Sequence, residues 1–280
     1  MPRRGVSRLL RAARRQPLGV AALFVLLTLG LLAILAPAVA PQHPNAQDIP
    51  NRLLPPGADH WFGTDRFGRD LLTRVLYGAR PSLLVGAASV LLGTVAGVLL
   101  GTWAGYRGGI LDRLLQRLAD VVLAFPVLVL ALVTVTALRP SVVTLTAVLA
   151  VALTAQMARL CRTQALIVRQ EAYVAAARSL GAHPARIVLR HILPNSFTAA
   201  LVHATGFFET AIVTEVSLSF LGLGLPPPDP SWGRMLAEAS HGFLEAAPWL
   251  AVFPVLAVAL TVFSFTFLGD ALRDFLDPRS

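Results

Sequence analysis

The chain has no lysine: all 24 of its basic residues are arginine. That absence excludes a phosphate-binding loop of the form G-x-x-x-x-G-K-[ST], whose lysine must reach the β- and γ-phosphates. It also excludes a lysine Schiff base and the pyridoxal chemistry built on one. Cysteine is almost missing as well. Cys161 stands alone, so no intrachain disulfide forms and no thiolate zinc site can be assembled. Charge is scarce, at 14% of 280 residues, against about 25% in soluble domains. In its place the chain is 55% hydrophobic, with a mean hydropathy of +0.67, which excludes a disordered chain. His43, His60, His183, His191, His203 and His241 show no ligand spacing such as H-x-x-x-H, so no metal site is expected.

The apolar residues fall into six runs, approximately 18–40, 82–105, 118–138, 141–158, 197–221 and 248–269. Each approaches the roughly 20 residues that a helix needs to cross hydrocarbon. The fourth is short and can continue into the segment after it. The expected fold is therefore an all-α integral membrane protein with six transmembrane helices. Arginine between the runs is unevenly placed. Seventeen of the 24 lie in the N-terminal tail, in 106–117, in 159–196 and in the C-terminal tail. The positive-inside rule makes those segments, and both termini, cytoplasmic. The net charge of +9 thus reports orientation, and no nucleic-acid partner is expected. Ala38-Val39-Ala40 resembles a signal-peptide cleavage site and Arg14-Arg15 a twin-arginine signal. The apolar stretch 18–40 exceeds a signal peptide's usual core of about 7–15 residues, which favours a retained span.

This gives a division into a basic tail (1–17), a first span (18–40), an external loop with an interfacial helix (41–81), a five-helix transmembrane domain (82–270) and a cytoplasmic tail (271–280). Prolines 41, 44, 50, 55 and 56 prevent a regular helix before Gly57. From Asp70 to Tyr77 the pattern is helical, with Arg69, Arg74 and Arg80 expected on its polar side at the membrane surface. Gly93, Gly97, Gly101 and Gly105 recur every fourth residue, which makes a groove where another helix approaches closely. Intrachain packing is the first reading of that groove, and pairing with a partner subunit the second. Pro126 and Pro254 should kink the third and sixth spans. Trp61, Trp232 and Trp249 sit where an aromatic belt would.

The segment 159–195 is too long for a tight hairpin. A helix there should stop at Gly181, and a second should start at Pro184 and end before Pro194. The result is a helix-turn-helix with a slim corner at Leu180-Gly181-Ala182, which another protein can receive.

The run from Glu171 to Asn195, EAYVAAARSLGAHPARIVLRHILPN, resembles the "EAA" loop of ABC-importer permeases. Aligned on Gly181 and Pro194, Ala175-Ala176-Ala177 take the E-A-A places. Ala175 replaces the glutamate and His191 stands at the isoleucine. FGTDRFGRD (62–70) with YGARPSL (77–83) resembles a further signature of the second permease in dipeptide, oligopeptide and nickel systems. EVSLSFLGLG (215–224), SWG (231–233) and LGDALRDFLDP (268–278) match as well, with Thr266 where asparagine is common.

The resemblance implies the type I ABC-importer permease fold in a prokaryotic cytoplasmic (inner) membrane. It implies no enzyme activity and no cofactor in this chain, with ATP and Mg on partner ATPase subunits. Implied partners are a second, homologous permease, one or two ABC ATPases, an extracytoplasmic substrate-binding protein and the lipid membrane. The implied ATPase contact is a coupling helix from Ala176 to Arg186. Leu180 would supply apolar burial there and Arg178 or Arg186 charged hydrogen bonds, with polar contact shifting from Ala175 to Glu171. Closure of the ATPases would rock the spans between inward-open and outward-open states. The peptide-type branch also favours His191 in H-I-L-P-N.

Glu209 falls near the middle of the fifth span. It either lines the translocation path and meets a cationic part of the substrate, or hydrogen-bonds a Ser or Thr of a neighbouring span. Glu215 reads as structural. Asp65 and Asp70 read as turn and ion-pair residues, and Arg52, Arg66 and Arg234 as contacts for a binding protein. A secondary transporter would need internal repeats, an intramembrane protease a nucleophile beside a base. Neither is seen, and the corner argues against a purely structural membrane subunit.

Overall fold

The computed structural model describes residues 16–226, 228–240, 242–243 and 245–276. The arginines at 3, 4, 8, 11, 14, 15 and 279, together with His241 and the end of the C-terminal motif, lie outside them.

Two long helices form the centre of the molecule: α2 (Leu71–Arg107) and α5 (Val142–Val168). Each starts on a side-chain cap. Asp70 Oδ2 accepts the Thr73 N–H at 2.8 Å, and Ser141 Oγ accepts the Thr144 N–H at 3.0 Å; such caps satisfy N–H groups that have no intrahelical partner. The glycine groove lies against α5. A Cβ on Gly93 would fall 2.6 Å from Leu153 Cγ, on Gly97 2.5 Å from Met157 Cβ, on Gly101 2.3 Å from the Ala158 oxygen and on Gly105 2.7 Å from the Arg162 oxygen. Four missing side chains let the two backbones touch. Val98, Leu153, Met157 and Cys161 fill the space beside them.

The expected interfacial helix at 70–77 is not a separate piece. It continues through Pro81 into α2, because Pro81 removes a single backbone donor and its neighbours keep helical geometry. Arg69 and Arg74 are likewise buried inside the protein, not on an exposed polar side. Arg69 Nε pairs with Asp65 Oδ2 at 2.5 Å and Arg69 Nη2 with Glu238 Oε2 at 2.8 Å. Arg74 faces the same two acids at 3.6 and 3.7 Å and donates to the Pro44 oxygen at 3.2 Å. Arg234 closes the cluster on Glu238 at 3.3 Å, so it serves the fold here. A buried guanidinium is tolerated only when paired in this way. The network ties residues 41–70 to α9 (Trp232–Ser240). Around it Leu71, Val75, Met235 and Leu250 form an apolar core. Trp232 belongs to that core and not to an aromatic belt: it is 0% exposed, and its indole N–H donates to the Val75 oxygen at 3.1 Å.

The first helix, α1 (Pro17–Val39), is apolar all round. Pro37 has no N–H for the Ala33 carbonyl four residues back. Arg80 fills that vacancy, with Nε donating to Ala33 O at 2.6 Å and Nη2 to Ile34 O at 2.9 Å. Arg80 is thus a clasp between α1 and α2.

The third apolar run is broken. α3 (Gly109–Leu123) and α4 (Val127–Leu138) meet at 86° across Ala124-Phe125-Pro126. Pro126 ends the helix instead of kinking it, since no N–H is available to continue the ladder and the residue before proline avoids helical geometry. The fourth run extends, as its flank allowed, to Val168. Two long helices complete the domain, α8 (Leu193–Phe220) and α10 (Trp249–Leu276). Among the described residues, five helices are long and apolar enough to cross a membrane, or six if the bent pair makes one span.

Candidate functional site

The corner at Gly181 is built by two short helices on a firm base. α6 (Ala172–Ser179) ends at Leu180, and α7 (Pro184–Ile187) begins after His183. Gly181 has φ +75°, in the left-handed region where a side chain is strained. Its N–H donates to Arg178 O at 3.0 Å and that of Ala182 to Ala177 O at 3.1 Å. This pair of bonds is a Schellman closure, which satisfies the last carbonyls of α6 and turns the chain sharply. His183 Nδ1 then accepts the Ala185 N–H at 3.3 Å and starts α7.

Beneath the corner Val174, Ile187, Val188 and Ile192 pack on Ala165 and Val168 of α5, with Trp103 and Tyr106 of α2 beside them. Arg169 Nη1 donates to the Gly105 oxygen at 3.2 Å, and Arg178 stands over the Tyr106 ring at 5.7 Å. The hairpin therefore rests on both central helices. Its tip is unburied. Ala175, Ala176, Arg178, Gly181 and Arg186 are exposed, Ala177 and Ala182 partly so, and Leu180 is 88% exposed. An aliphatic side chain held out at a rigid corner loses favourable burial energy unless something covers it. The segment Ala176 to Arg186 is two helices meeting at Gly181, with the stop at Gly181 and the start at Pro184 that the sequence indicates.

The second helix of the hairpin does not end before Pro194. Residues Val188–Ile192 form one π turn, in which the Leu193 N–H reaches back to Val188 O. A π turn shifts the hydrogen-bond ladder by one residue. It absorbs the donor that Pro194 lacks, and the helix runs on into α8. Asn195 Nδ2 donates to His191 O at 2.6 Å, and the His191 ring lies 5.7 Å from that of Tyr173. Helix continuity from Pro184 to Phe220 was missed because proline was read as a terminator.

Glu209 sits on α8 facing α10, where the Thr266 hydroxyl donates to its Oε2 at 3.0 Å. Phe208 and Phe265 stack beside this contact. A recess between the spans lies elsewhere. About 280 Å³ in volume, it is lined by Ser89, Gln156 and Thr210 among apolar residues of α2, α4, α5 and α8. Glu209 is not among its walls. Gln156 is not singled out by the sequence reading, although a polar residue within an apolar run is a signal for it. Glu215 is buried and accepts the Ser219 hydroxyl at 2.7 Å.

Residues 97–280 match the family described as "Binding-protein-dependent transport system inner membrane component". Residues 7–56 match the "N-terminal TM domain of oligopeptide transport permease C". Similar full-length proteins include a dipeptide transport system permease protein of Alkalihalophilus pseudofirmus, 41% identical over 95% of this chain and 87% of its own length. A putative peptide transport system permease protein of Brucella suis is 42% identical over 92% of this chain and 86% of its own. A glutathione transport system permease protein of Shigella dysenteriae is 44% identical over 96% and 89%.

Proposed function

The chain belongs to the family of binding-protein-dependent transport system inner membrane components, and from that premise we propose that it moves peptides or similar small solutes inward by alternating access, driven by a separate ATPase. Proteins of this family are the permease subunits of ABC importers, multi-pass in the prokaryotic inner membrane, and are not themselves ATPases. The finer reading assigns the hairpin to the cytoplasm, with both termini, and residues 41–70 with α9 to the outer side. A second permease completes the translocation path, one or two ATPases take the corner, and a binding protein delivers substrate to the outer cap.

The observation that carries this reading is the rigid, exposed Leu180-Gly181-Ala182 corner seated on α2 and α5. Leu180 enters an apolar groove of the ATPase, and Arg178 and Arg186 supply charged hydrogen bonds around it. Ala177 and Ala182 keep the approach slim. Ala175 offers no carboxylate; Glu171, exposed at the start of α6, is the acid nearest that place in the chain.

The test is uptake by proteoliposomes holding this chain, its partner permease and the ATPase. Labelled di- and tripeptides should accumulate only with internal or external ATP on the ATPase side and with the binding protein opposite. Uptake without ATP would overturn the ATP-driven reading in favour of a secondary transporter.

Glu209 is assigned to helix packing. Gln keeps an oxygen that can accept from Thr266, so Glu209→Gln should retain uptake within about twofold. Glu209→Leu removes that acceptor while the Thr266 hydroxyl keeps the Val262 oxygen at 3.0 Å, so the cost should stay below about 1 kcal/mol and show as a small fall in the melting temperature of the purified complex. A selective loss of cationic substrates in Glu209→Gln would instead place the carboxylate on the path.

A further inference from the structure

α3 carries a two-sided surface that the transport reading does not use. At 100° per residue, Ile110, Leu114, Leu118 and Val121 share one face, and all four are exposed. Arg113 and Arg117 flank that face, and Arg107 precedes it at the end of α2; all three are exposed. The opposite side holds Ala119, which is buried, and Asp112, while Asp120 lies beside Arg113 on the exposed polar edge; both acids reach α5.

Those acids fix how α3 lies. Asp112 takes Arg162 through bonds of 2.5 and 2.8 Å, and Asp120 pairs with Arg159. The acids are about 12 Å apart along α3, while the arginines are only about 4.5 Å apart along α5. α4 packs along the first half of α5 through Ala131 and Val135, and α3 meets α4 at 86°, so α3 lies across α5. Arg159 is also where the apolar run of α5 gives way to charge. The level at which α3 crosses is therefore the edge of the hydrocarbon, with α4 turning into it.

We propose that α3 is an interfacial helix lying in the headgroup layer on the hairpin side, where it binds anionic lipid through Arg107, Arg113 and Arg117. A helix with an apolar face, flanking arginines and an axis across its neighbours matches the chemistry of that layer. Long arginine stems lie along the apolar face while their guanidinium groups reach lipid phosphates. Charge favours this occupant over a protein: the exposed polar edge carries Arg113 and Arg117, and its one acid, Asp120, is paired to Arg159 of α5, as Asp112 is to Arg162. The inference rests on the chain's being a membrane protein and is independent of substrate and ATPase.

Nitroxide labels at 110, 113, 114, 117, 118 and 121, in a full-length Cys161→Ser chain within the complex in phosphatidylglycerol-phosphatidylcholine nanodiscs, give the test. Labels at 110, 114, 118 and 121 should be reached by oxygen at one shallow depth, and those at 113 and 117 by a water-soluble nickel chelate. A depth that changes steadily by about 16 Å between 110 and 121 would mean a crossing helix and overturn the proposal. Shielding of 114 and 118 from both probes would mean a protein covers the face, with the same result. In the Arg107→Gln, Arg113→Gln, Arg117→Gln chain, co-purified phosphatidylglycerol should fall by up to about fivefold per arginine removed. Unchanged phosphatidylglycerol would overturn the anionic-lipid assignment.

Discussion

Replacing Gly181 by aspartate is expected to bring uptake to background while the chain still reaches the membrane and folds. Two effects separate cleanly here. Backbone strain at φ +75° costs about 1–2 kcal/mol for an ordinary residue and less for Asp or Asn, too little to unfold a domain with this much buried surface. Within the chain itself a Cβ at 181 meets nothing within 4 Å. Any loss of transport on adding a side chain therefore comes from a partner that must approach the corner closely. Gly181→Asn, equally tolerant of the left-handed region and uncharged, measures the steric part, and the difference between the two variants measures the charge. Uptake, ATPase co-purification and membrane content are the readouts. Unchanged uptake in Gly181→Asp would remove the corner from the ATPase interface.

The second large effect is expected on stability. Gly101→Leu would place a Cβ 2.3 Å from the Ala158 oxygen and 2.8 Å from its Cα. Both are backbone atoms of a long helix, so neither can yield as a side-chain tip would. Relief requires α2 and α5 to separate along their whole contact, and overpacking of this kind costs about 3 kcal/mol or more. The purified chain should melt well below the unsubstituted protein or fail to accumulate. Gly30→Ala in α1 is the control, because its Cβ meets nothing within 4 Å. If Gly101→Leu melts with Gly30→Ala, the close α2–α5 contact is not what holds the centre of the molecule together.

Local chemistry was legible in the sequence where one short stretch holds the whole cause. The Gly181 corner needs only a glycine after a helix and a proline three residues on. The four-residue glycine rhythm announces a close helix contact, though not its partner. Pro81, Pro126 and Pro194 show the limit. Each removes one N–H, yet the three outcomes are a continuous helix, an 86° break and a π turn. What decides among them is packing by segments far away in the chain. The same holds for Arg69 and Arg74, read as surface residues because their acid, Glu238, lies 169 positions from Arg69. Trp232 reads equally well as a belt residue or a core residue until Val75 is beside it. Hydropathy reports that a face is apolar, and says nothing of whether lipid or protein covers it.

The π turn has a mechanical meaning. Because it lets the chain pass Pro194 without stopping, one continuous helix runs from Pro184, three residues past the corner, to Phe220 at the other end of α8. Thirty-seven residues make an arm about 55 Å long. A rotation of about 10° around its inner end would swing the far end by roughly 10 Å, wider than a helix backbone. In the proposed coupling, a small displacement delivered at Gly181 would arrive magnified beside Glu215 and Ser219, without any relay of side chains between them. An interrupted helix at Pro194 would have given a joint there, and the arm would have been shortened by a quarter.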